Sequence, residues 1–495
     1  MKILLLNLPW QRGGNWGVRA GSRWPHIKDI SEGEYLPFPF FLAYAVSLLH
    51  KHNIEALLID AIADKISENE LFKKITEIKA DYIVIETSIP SFDNDLNIAK
   101  KISEMGPSIV LCGPNSEIYK PEFLKKHVFI DFVLYGEYEF TLLELASTLS
   151  KGKDLSNVKG LIHRDKDSII KNLPRDPFNI NDLPWPHRET LPMDKYLDVP
   201  GEMQTPSIQV LASRGCPFKC QFCLWPQVIY QGSHYRAREV KGVVDEMEYF
   251  VREKGFRSIY FDDDTFNVGK KRMLEFCQEI KDRGLNRVQW AIMARPDLMD
   301  KEILKNMKEA GLWAVKYGVE SMNQDLIDNI EKDMDLQKAR QMIKFTKELG
   351  IRTHLTFTFG LPGETMQTIE KTIRAIKELD PFSVQFSIMT PFPGTKAYEI
   401  FDKNELIVSK NFSLYDGHFK SVIKTKKLTS TDLENAKIKA YRVWLDHLRR
   451  RRGLIGNLKR FLQYIRMHSL SFAFRKALRY LRYVVIDRKK YIDLD

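Results

Sequence analysis

The stretch Arg214-Gly-Cys-Pro-Phe-Lys-Cys-Gln-Phe-Cys-Leu-Trp-Pro226 decides how this chain is read. It sets Cys216, Cys220 and Cys223 at C-x₃-C-x₂-C spacing, with no fourth cysteine nearby. Soft thiolate donors suit iron–sulfur clusters or zinc. A closed structural zinc site needs four ligands, so zinc would require completion by a residue such as His234. Three thiolates alone match three irons of a cubane cluster and leave the fourth iron open to a small ligand. The two remaining cysteines, Cys112 and Cys277, each lie inside an apolar, periodic segment and read as small buried hydrophobes.

The triplet directly follows a predicted strand, Ser207–Ala212, which opens a series of alternating strands and helices. Further strands are predicted at Ser258–Phe261, Gln289–Ala294, Ala314–Gly318, Arg352–Phe359 and Ser383–Met389. Helices are predicted between them, among them Val240–Lys254, Lys270–Arg283 and Gln337–Leu349. Six such units fall short of the eight of a closed barrel, so an open, partial (β/α)6 barrel of TIM type is expected. Barrels of this kind carry their sites at the carboxyl ends of the strands, which is where the triplet falls. Phe261-Asp-Asp-Asp-Thr-Phe, Arg295-Pro-Asp, Gly318-Val-Glu-Ser and Gly360-Leu-Pro-Gly-Glu-Thr stand at the ends of later strands. Singly, each reads as an ordinary solvated strand end. Together with the triplet they describe one mouth.

Upstream, residues 1–140 alternate short apolar runs with helical patterns. Strands are predicted at Lys2–Leu6, Glu55–Ile59, Tyr82–Glu86, Ile109–Leu111 and Phe132–Leu134, with helices at Phe41–Lys51, Glu68–Ile78, Leu96–Met105 and Phe140–Leu149. That alternation predicts an α/β fold with a doubly wound parallel sheet, Rossmann-like in architecture. Such sheets bind ligands at the carboxyl ends of their strands. The candidate contacts there are Asn7, Asp60, Thr87, Ser88, Gly113 and Pro114 in Gly113-Pro-Asn-Ser-Glu, and Gly136 and Glu137 in Tyr135-Gly-Glu-Tyr-Glu.

A chain of 495 residues with 44% hydrophobic content is expected to hold two or three domains. The expected partition is a sheet domain over 1–150, a Pro-rich connector over 151–205 with Leu183-Pro-Trp-Pro-His, a barrel over 206–400, and a helical region over 401–495. Three clustered cysteines out of five exclude a disulfide framework and place the chain in a reducing, cytoplasmic setting. No run approaches the ~20 apolar residues of a membrane span, and the N-terminal Met1-Lys-Ile-Leu-Leu-Leu reads as a buried strand rather than a signal peptide.

The net charge of +11 is concentrated in one place: Arg442–Asp495 alone carries fifteen Lys/Arg against four Asp/Glu. Leu454, Leu458, Phe461, Leu462 and Ile465 form one apolar stripe there. Phe474, Leu478, Leu481 and Val485 form a second, edged by Arg475, Arg479 and Arg482. A basic amphipathic helix pair suits the surface of an anionic membrane, with contact through 442–490. Docking on the enzyme body and nucleic-acid binding are the alternatives. No nucleic-acid module accompanies the tail, and no nucleic-acid partner is expected.

The span from about 206 to 400 resembles the radical S-adenosylmethionine (SAM) superfamily, on its cysteine triplet, the aromatic Phe222 before the third cysteine, and the strand-end segments. The resemblance implies a [4Fe–4S] cluster on Cys216, Cys220 and Cys223, with SAM chelated at the open iron. One electron would cleave its sulfonium to methionine and a 5′-deoxyadenosyl radical, supplied through a donor such as flavodoxin or ferredoxin. It also implies that Asp262, Asp263 and Asp264 meet the methionine amino group, that Arg295 meets its carboxylate, and that Glu320 and Ser321 meet the ribose. With the N-terminal sheet, the Leu183-Pro-Trp-Pro linker and Pro391-Phe-Pro-Gly-Thr-Lys-Ala-Tyr, residues 1–400 are similar to the cobalamin-binding members of that superfamily.

In that family the corrin lies over the strand ends of the N-terminal sheet. The chain departs from the older cobalamin enzymes in lacking Asp-x-His-x-x-Gly, whose His ligates cobalt. The methylthiotransferase branch needs a second cysteine triplet, which is missing here. Cys223-Leu-Trp-Pro-Gln, followed by Tyr235-Arg-Ala-Arg with Arg236 and Arg238, is similar to subgroups linked to hopanoid-lipid tailoring and tetrapyrrole ring closure. The resulting expectation is a cobalamin-dependent radical SAM enzyme that methylates an unactivated carbon of a lipid or natural-product substrate. The alternatives are a radical cyclase or rearrangement enzyme, and a non-catalytic corrin or iron–sulfur carrier.

Overall fold

Strand Lys2–Asn7 is apolar on both faces, with Ile3 and Leu5 entering one core layer and Leu4 and Leu6 the other. A strand with that pattern must be covered on both sides, and the computed structural model covers it so. The structure describes residues 1–21, 25–28, 35–418, 420–467, 470, 474 and 477–478. Lys2–Asn7 lies inside a seven-stranded sheet of order Ser168–Lys171, Leu161–Asp165, Phe132–Leu134, Ser108–Cys112, Tyr82–Glu86, Lys2–Asn7, Glu55–Asp60. Lys2–Asn7 pairs in parallel with both neighbours, and the chain reverses its winding between it and Tyr82–Glu86. Helices Phe40–Lys51 and Glu139–Ser150 cover one face, and Glu68–Ile78 and Phe92–Ser103 the other. The doubly wound sheet is therefore present.

The sheet does not stop at residue 150. The antiparallel hairpin Leu161–Asp165/Ser168–Lys171 extends it on one edge, inside the stretch expected to be connector. A second unexpected element is a small antiparallel sheet of Gln11–Arg12, Asn15–Val18 and His26–Lys28. Its first turn is Gly13-Gly14, both at positive φ (+59° and +84°), the geometry two-residue hairpins demand.

The second sheet has six parallel strands in sequence order: Ser207–Val210, Ser258–Phe261, Gln289–Ala294, Leu312–Glu320, Arg352–Phe359 and Ser383–Ile388. It is the expected open barrel. Its strands alternate strictly. Val315, Tyr317, Leu355, Phe357, Val384 and Phe386 point outward into the helix layer, while Lys316, His354, Thr356, Gln385 and Ser387 take the alternate positions and line a polar inner face. Burial drives the His354 imidazole down to about 3, so it stays neutral there.

The Pro-rich segment is packed rather than loose. Asp198 meets the Lys316 ammonium at 2.7 Å, and the Gly201 carbonyl accepts the Trp313 indole N–H (2.8 Å) and the Arg352 guanidinium (2.5 Å). Met203 packs against Tyr260, Ala291 and Ala314, so this segment shuts the amino end of the barrel. At the other flank, helix Ser430–Met467 covers edge strand Ser383–Ile388 through Leu433, Ala436, Ala440, Tyr441, Trp444 and Leu448. The Tyr441 hydroxyl accepts the Phe386 N–H at 3.1 Å.

At Gly453 (φ 56°) the helix kinks, and beyond it Leu458, Leu462, Leu470, Phe474 and Leu478 are exposed. Leu481, Val485, Arg475, Arg479 and Arg482 lie outside the described residues, as does the side chain of Leu454. Among the described residues no helix is long and apolar enough to cross a membrane.

Candidate active site

The cysteine loop leaves strand Ser207–Val210 and is held in shape by carboxylates from the end of the neighbouring strand. Asp263 accepts the Ala212 N–H at 2.8 Å and the Ser213 hydroxyl. Asp264 accepts the Gly215 N–H at 3.0 Å and the Tyr230 hydroxyl at 2.8 Å. Thr265 Oγ1 lies 3.3 Å from Cys216 Sγ. Gly215 sits at φ +82°, where a Cβ would come within 1.8 Å of the His234 carbonyl, so only glycine closes this turn. A single π-helical turn, Trp225–Ile229, follows Cys223. Phe222 is half-buried against the main core.

These contacts revise three of the expected roles. Asp263 and Asp264 are engaged by the loop backbone and its hydroxyls rather than turned to an amino group, while the Asp262 N–H donates to the Val210 carbonyl. Arg295 does not present a fork to a carboxylate ligand, because Asp297 already takes it at 2.8 and 3.1 Å. Its remaining donors reach the carbonyls of Lys332 (2.6 Å) and Asp333 (2.5 Å), and its guanidinium lies 3.5 Å over the Phe218 ring of the cysteine loop. Arg295 is a brace beneath the loop.

Glu320 and Ser321 stand where the sequence places them, at the end of strand Leu312–Glu320. Glu320 is in the left-handed region (φ 66°) at a register irregularity. Its carboxylate accepts the Lys332 ammonium at 3.0 Å and the Thr358 hydroxyl at 2.9 Å. Lys332, which sequence reasoning missed, is 6% exposed. Burial alone would lower its ammonium, but the charges of Glu320 and Cys220 outweigh this and hold it up. Burial likewise raises the Cys220 thiol, and Lys332 works against that rise. Glu364 closes the Gly360 segment on itself by accepting the N–H groups of Gly360 and Leu361, its carboxyl raised by burial to about 8.

The strand ends of the first sheet come against the barrel where Ser116 lies beside Gly394 and Val228. Asn7 Nδ2 donates to Asp60 at 2.7 Å, and the same carboxylate accepts the Tyr196 hydroxyl at 2.9 Å. Thr87 bonds back to the Cys112 carbonyl through its N–H and hydroxyl, and the Ser88 and Ser91 hydroxyls are 2.8 Å apart. Gly113 is at φ +105°, where a Cβ would meet Thr87 O at 2.6 Å, and Pro114 beside it is buried. Arg19, also missed, is 3% exposed and pairs with Asp95 at 2.8 Å. Its Nε and Nη2, with Asn7 Oδ1, Asn115 Nδ2 and Ser116 Oγ, are buried without a hydrogen-bond partner. Burial raises the Glu86 carboxyl to about 7, although the Tyr138 hydroxyl donates to it at 2.6 Å.

Gly136 and Glu137 take a different place from the one expected. Gly136 backs onto Gln231 and Ile229 of the barrel. Glu137 is paired with Arg214 at 3.2 Å and Arg236 at 2.6 Å, so it joins the domains. Arg238 is likewise held in a pair with Glu246.

The chemistry of the donor set fits a cubane: three cysteine thiols on one loop and no fourth protein thiol. Among the described residues no three His, Cys, Asp or Glu side chains gather about one ion position. A cubane spreads its thiolates over three irons and does not require such gathering.

Comparison with known proteins agrees with this geometry. The Radical SAM superfamily profile matches residues 210–376. An uncharacterized methyltransferase of Pyrococcus horikoshii is 31% identical over 406 residues, 81% of this chain and 86% of that protein. The chain belongs to the radical SAM superfamily. It is also similar to the anaerobic magnesium-protoporphyrin IX monomethyl ester cyclase of Rubrivivax gelatinosus, 29% identical over 424 residues, 82% of this chain and 71% of that one. Among solved structures, the cobalamin-dependent SAM radical enzyme OxsB with aqua-cobalamin and SAM bound shares the fold (TM-score 0.70, 16% identity, 100% of this chain and 74% of that one). So does the radical SAM methyltransferase TsrM of Kitasatospora setae with cobalamin and a [4Fe–4S] cluster bound (TM-score 0.63, 19% identity, 83% and 76%).

Proposed function

We propose that this chain is a cobalamin-dependent radical SAM methyltransferase acting on an unactivated carbon of a small-molecule or lipid substrate. The observation that carries the reading is the meeting of two strand-end mouths, one bearing three cysteine thiols and the other a rim of buried polar atoms without partners. Cys216, Cys220 and Cys223 would hold the cluster. Glu320 and Lys332, opposite charges 3.0 Å apart beside Cys220, with Ser321, suit the zwitterionic and ribose ends of SAM.

Asn7, Arg19, Thr87, Ser88, Gly113, Pro114, Asn115 and Ser116 would hold cobalamin, whose peripheral amides can satisfy both donors and acceptors. Bound there, the cluster supplies an electron and cobalamin a transferable methyl group. The protein's share is to orient the reactants and exclude water, with Phe218, Phe222 and Trp225 packed around the loop. A flavodoxin- or ferredoxin-type donor would deliver the electron. A second reading, ring closure after the same radical start, is favoured by the likeness to the cyclase.

Anaerobic reconstitution and reduction with SAM tests the core of this reading, and release of 5′-deoxyadenosine is expected. A cluster-loaded protein that leaves SAM intact refutes it. Corrin absorbance retained after desalting favours methyl transfer, and its absence counts against it.

The exposed Leu458, Leu462, Phe474 and Leu478 beyond Gly453, on a strongly basic segment, support peripheral contact with an anionic membrane. Liposome flotation of the full chain should exceed that of a chain ending at Tyr441. Equal flotation removes this contact.

A further inference from the structure

The cysteine loop is anchored not only by its own barrel but by the first domain. Arg214, two residues before Cys216, has a side chain that is 0% exposed. Its guanidinium pairs at 3.2 Å with Glu137, on the turn after strand Phe132–Leu134, and at 2.6 Å with Glu139, the first residue of helix Glu139–Ser150. It also stacks 4.3 Å from the Phe41 ring and 4.7 Å from the Tyr44 ring of helix Phe40–Lys51. Arg236, hydrogen-bonded beside Arg214 in a two-residue ladder, takes the other oxygen of Glu137 at 2.6 Å. Two arginines from the barrel thus face two carboxylates from the sheet domain, a charge-balanced and largely buried group.

The connections close into a ring. Glu137 holds Arg214; the next residue, Gly215, donates to Asp264; Asp264 accepts the Tyr230 hydroxyl. Tyr230 lies between Ile229 and Gln231, which press on Gly136, the neighbour of Glu137. Gly215 is packed closely against the His234 carbonyl, which a Cβ there would overlap. Tyr138, between Glu137 and Glu139, donates to Glu86 at the end of rim strand Tyr82–Glu86 at 2.6 Å, so a shift at the rim bears on the Glu137 turn, on Arg214 and, two residues on, on Cys216.

We propose that Glu137 and Glu139 are positioning residues for the cysteine loop, and that ligand bound at the first sheet's rim and SAM bound at the cysteine loop alter each other's affinity through Arg214. The second half rests on the reading of that rim as a cobalamin site. Coupling between binding sites is reciprocal, so either ligand reports on the other.

The test uses the full chain, reconstituted anaerobically to equal iron content, with equilibrium binding of radiolabelled SAM and the electron paramagnetic resonance spectrum of the reduced cluster as readouts. Glu137→Gln should weaken SAM binding by roughly fivefold or more and change the SAM-induced shift in the spectrum. Glu144→Gln, which removes a pair with Arg175 in the same domain, should change neither. Wild-type SAM affinity and spectrum in Glu137→Gln overturn the positioning role.

Hydrogen exchange of the wild type avoids dependence on a buried substitution. Adding hydroxocobalamin should alter exchange in the peptide carrying residues 213–223 and shift the SAM dissociation constant. Retained corrin with neither change overturns the coupling. Failure to retain corrin overturns the coupling together with the cobalamin reading, while the Glu137→Gln result still decides the positioning role alone.

Discussion

The two mouths treat their polar groups in opposite ways. At the barrel mouth the charged residues are already taken: Asp263 and Asp264 by the cysteine loop, Arg295 by Asp297, Glu320 by Lys332 and Thr358. At the rim of the first sheet, Arg19, Asn115 and Ser116 keep buried polar atoms without protein partners. Unsatisfied buried groups cost about 1–3 kcal/mol each, and native proteins keep few of them without a reason. The carboxylates and arginine around the cysteine loop fix its shape, whereas the first rim leaves polar atoms that another molecule could complete.

The largest expected effect would come from the loop itself. Cys220→Ala should abolish both cluster assembly and SAM cleavage, measured as iron per chain and 5′-deoxyadenosine; a variant that still loads a full cluster would break the comparison at its base. Next is Arg295→Ala, which leaves the Asp297 carboxylate buried and unpaired and removes the support under Phe218. Breaking such a pair costs about 3–5 kcal/mol, so denaturant melts should show that loss along with poor cluster loading. A melt unchanged within error would mean the fork is not committed to Asp297.

On the other rim, Gly113→Ala forces a side chain onto Thr87 at positive φ. A loss of about 1–3 kcal/mol is expected, with corrin retention falling more than SAM binding. Equal loss of both would dissolve the distinction between the rims.

The subtlest effect to read is a pH dependence, because it is spread over more than two pH units. Glu86 is raised from 4.5 to about 7, mainly by burial. Below its unfolded value the carboxyl is neutral in both states and its contribution is fully present. As pH rises from 4.5 to about 7 the unfolded chain gives up this proton while the folded protein keeps it, so stability falls by about 3 kcal/mol in all and levels off once the folded carboxyl also ionises. Glu86→Gln should flatten that part of the stability–pH curve relative to wild type, and parallel curves would show that Glu86 does not titrate in this range.

Much of this arrangement was legible in the sequence because both sheets obey simple periodicity. Tyr82–Glu86, Phe132–Leu134, Ser258–Phe261, Gln289–Ala294 and Arg352–Phe359 run between the residues predicted for them. Partnership was not legible. Arg295 looks like an open fork until Asp297, two residues on in the same segment, turns back to occupy it. Lys332 arrives from a turn after helix Gln324–Asn329 and no local pattern marks it. The hairpin Leu161–Lys171 escaped because Leu-Ile-His-Arg-Asp and Ser-Ile-Ile-Lys do not alternate apolar and polar residues. The Gly13-Gly14 turn, by contrast, was a readable signal for the small sheet.

The segment that shuts the amino end of the barrel, with Asp198 on Lys316 and Gly201 beneath Trp313 and Arg352, makes the barrel a cup rather than a tube. A cup has one doorway. Substrate, SAM and their products would share the passage overhung by the first domain, so whatever occupies that rim also stands in the path of release. Release from such a cup would then depend on the order in which its occupants leave.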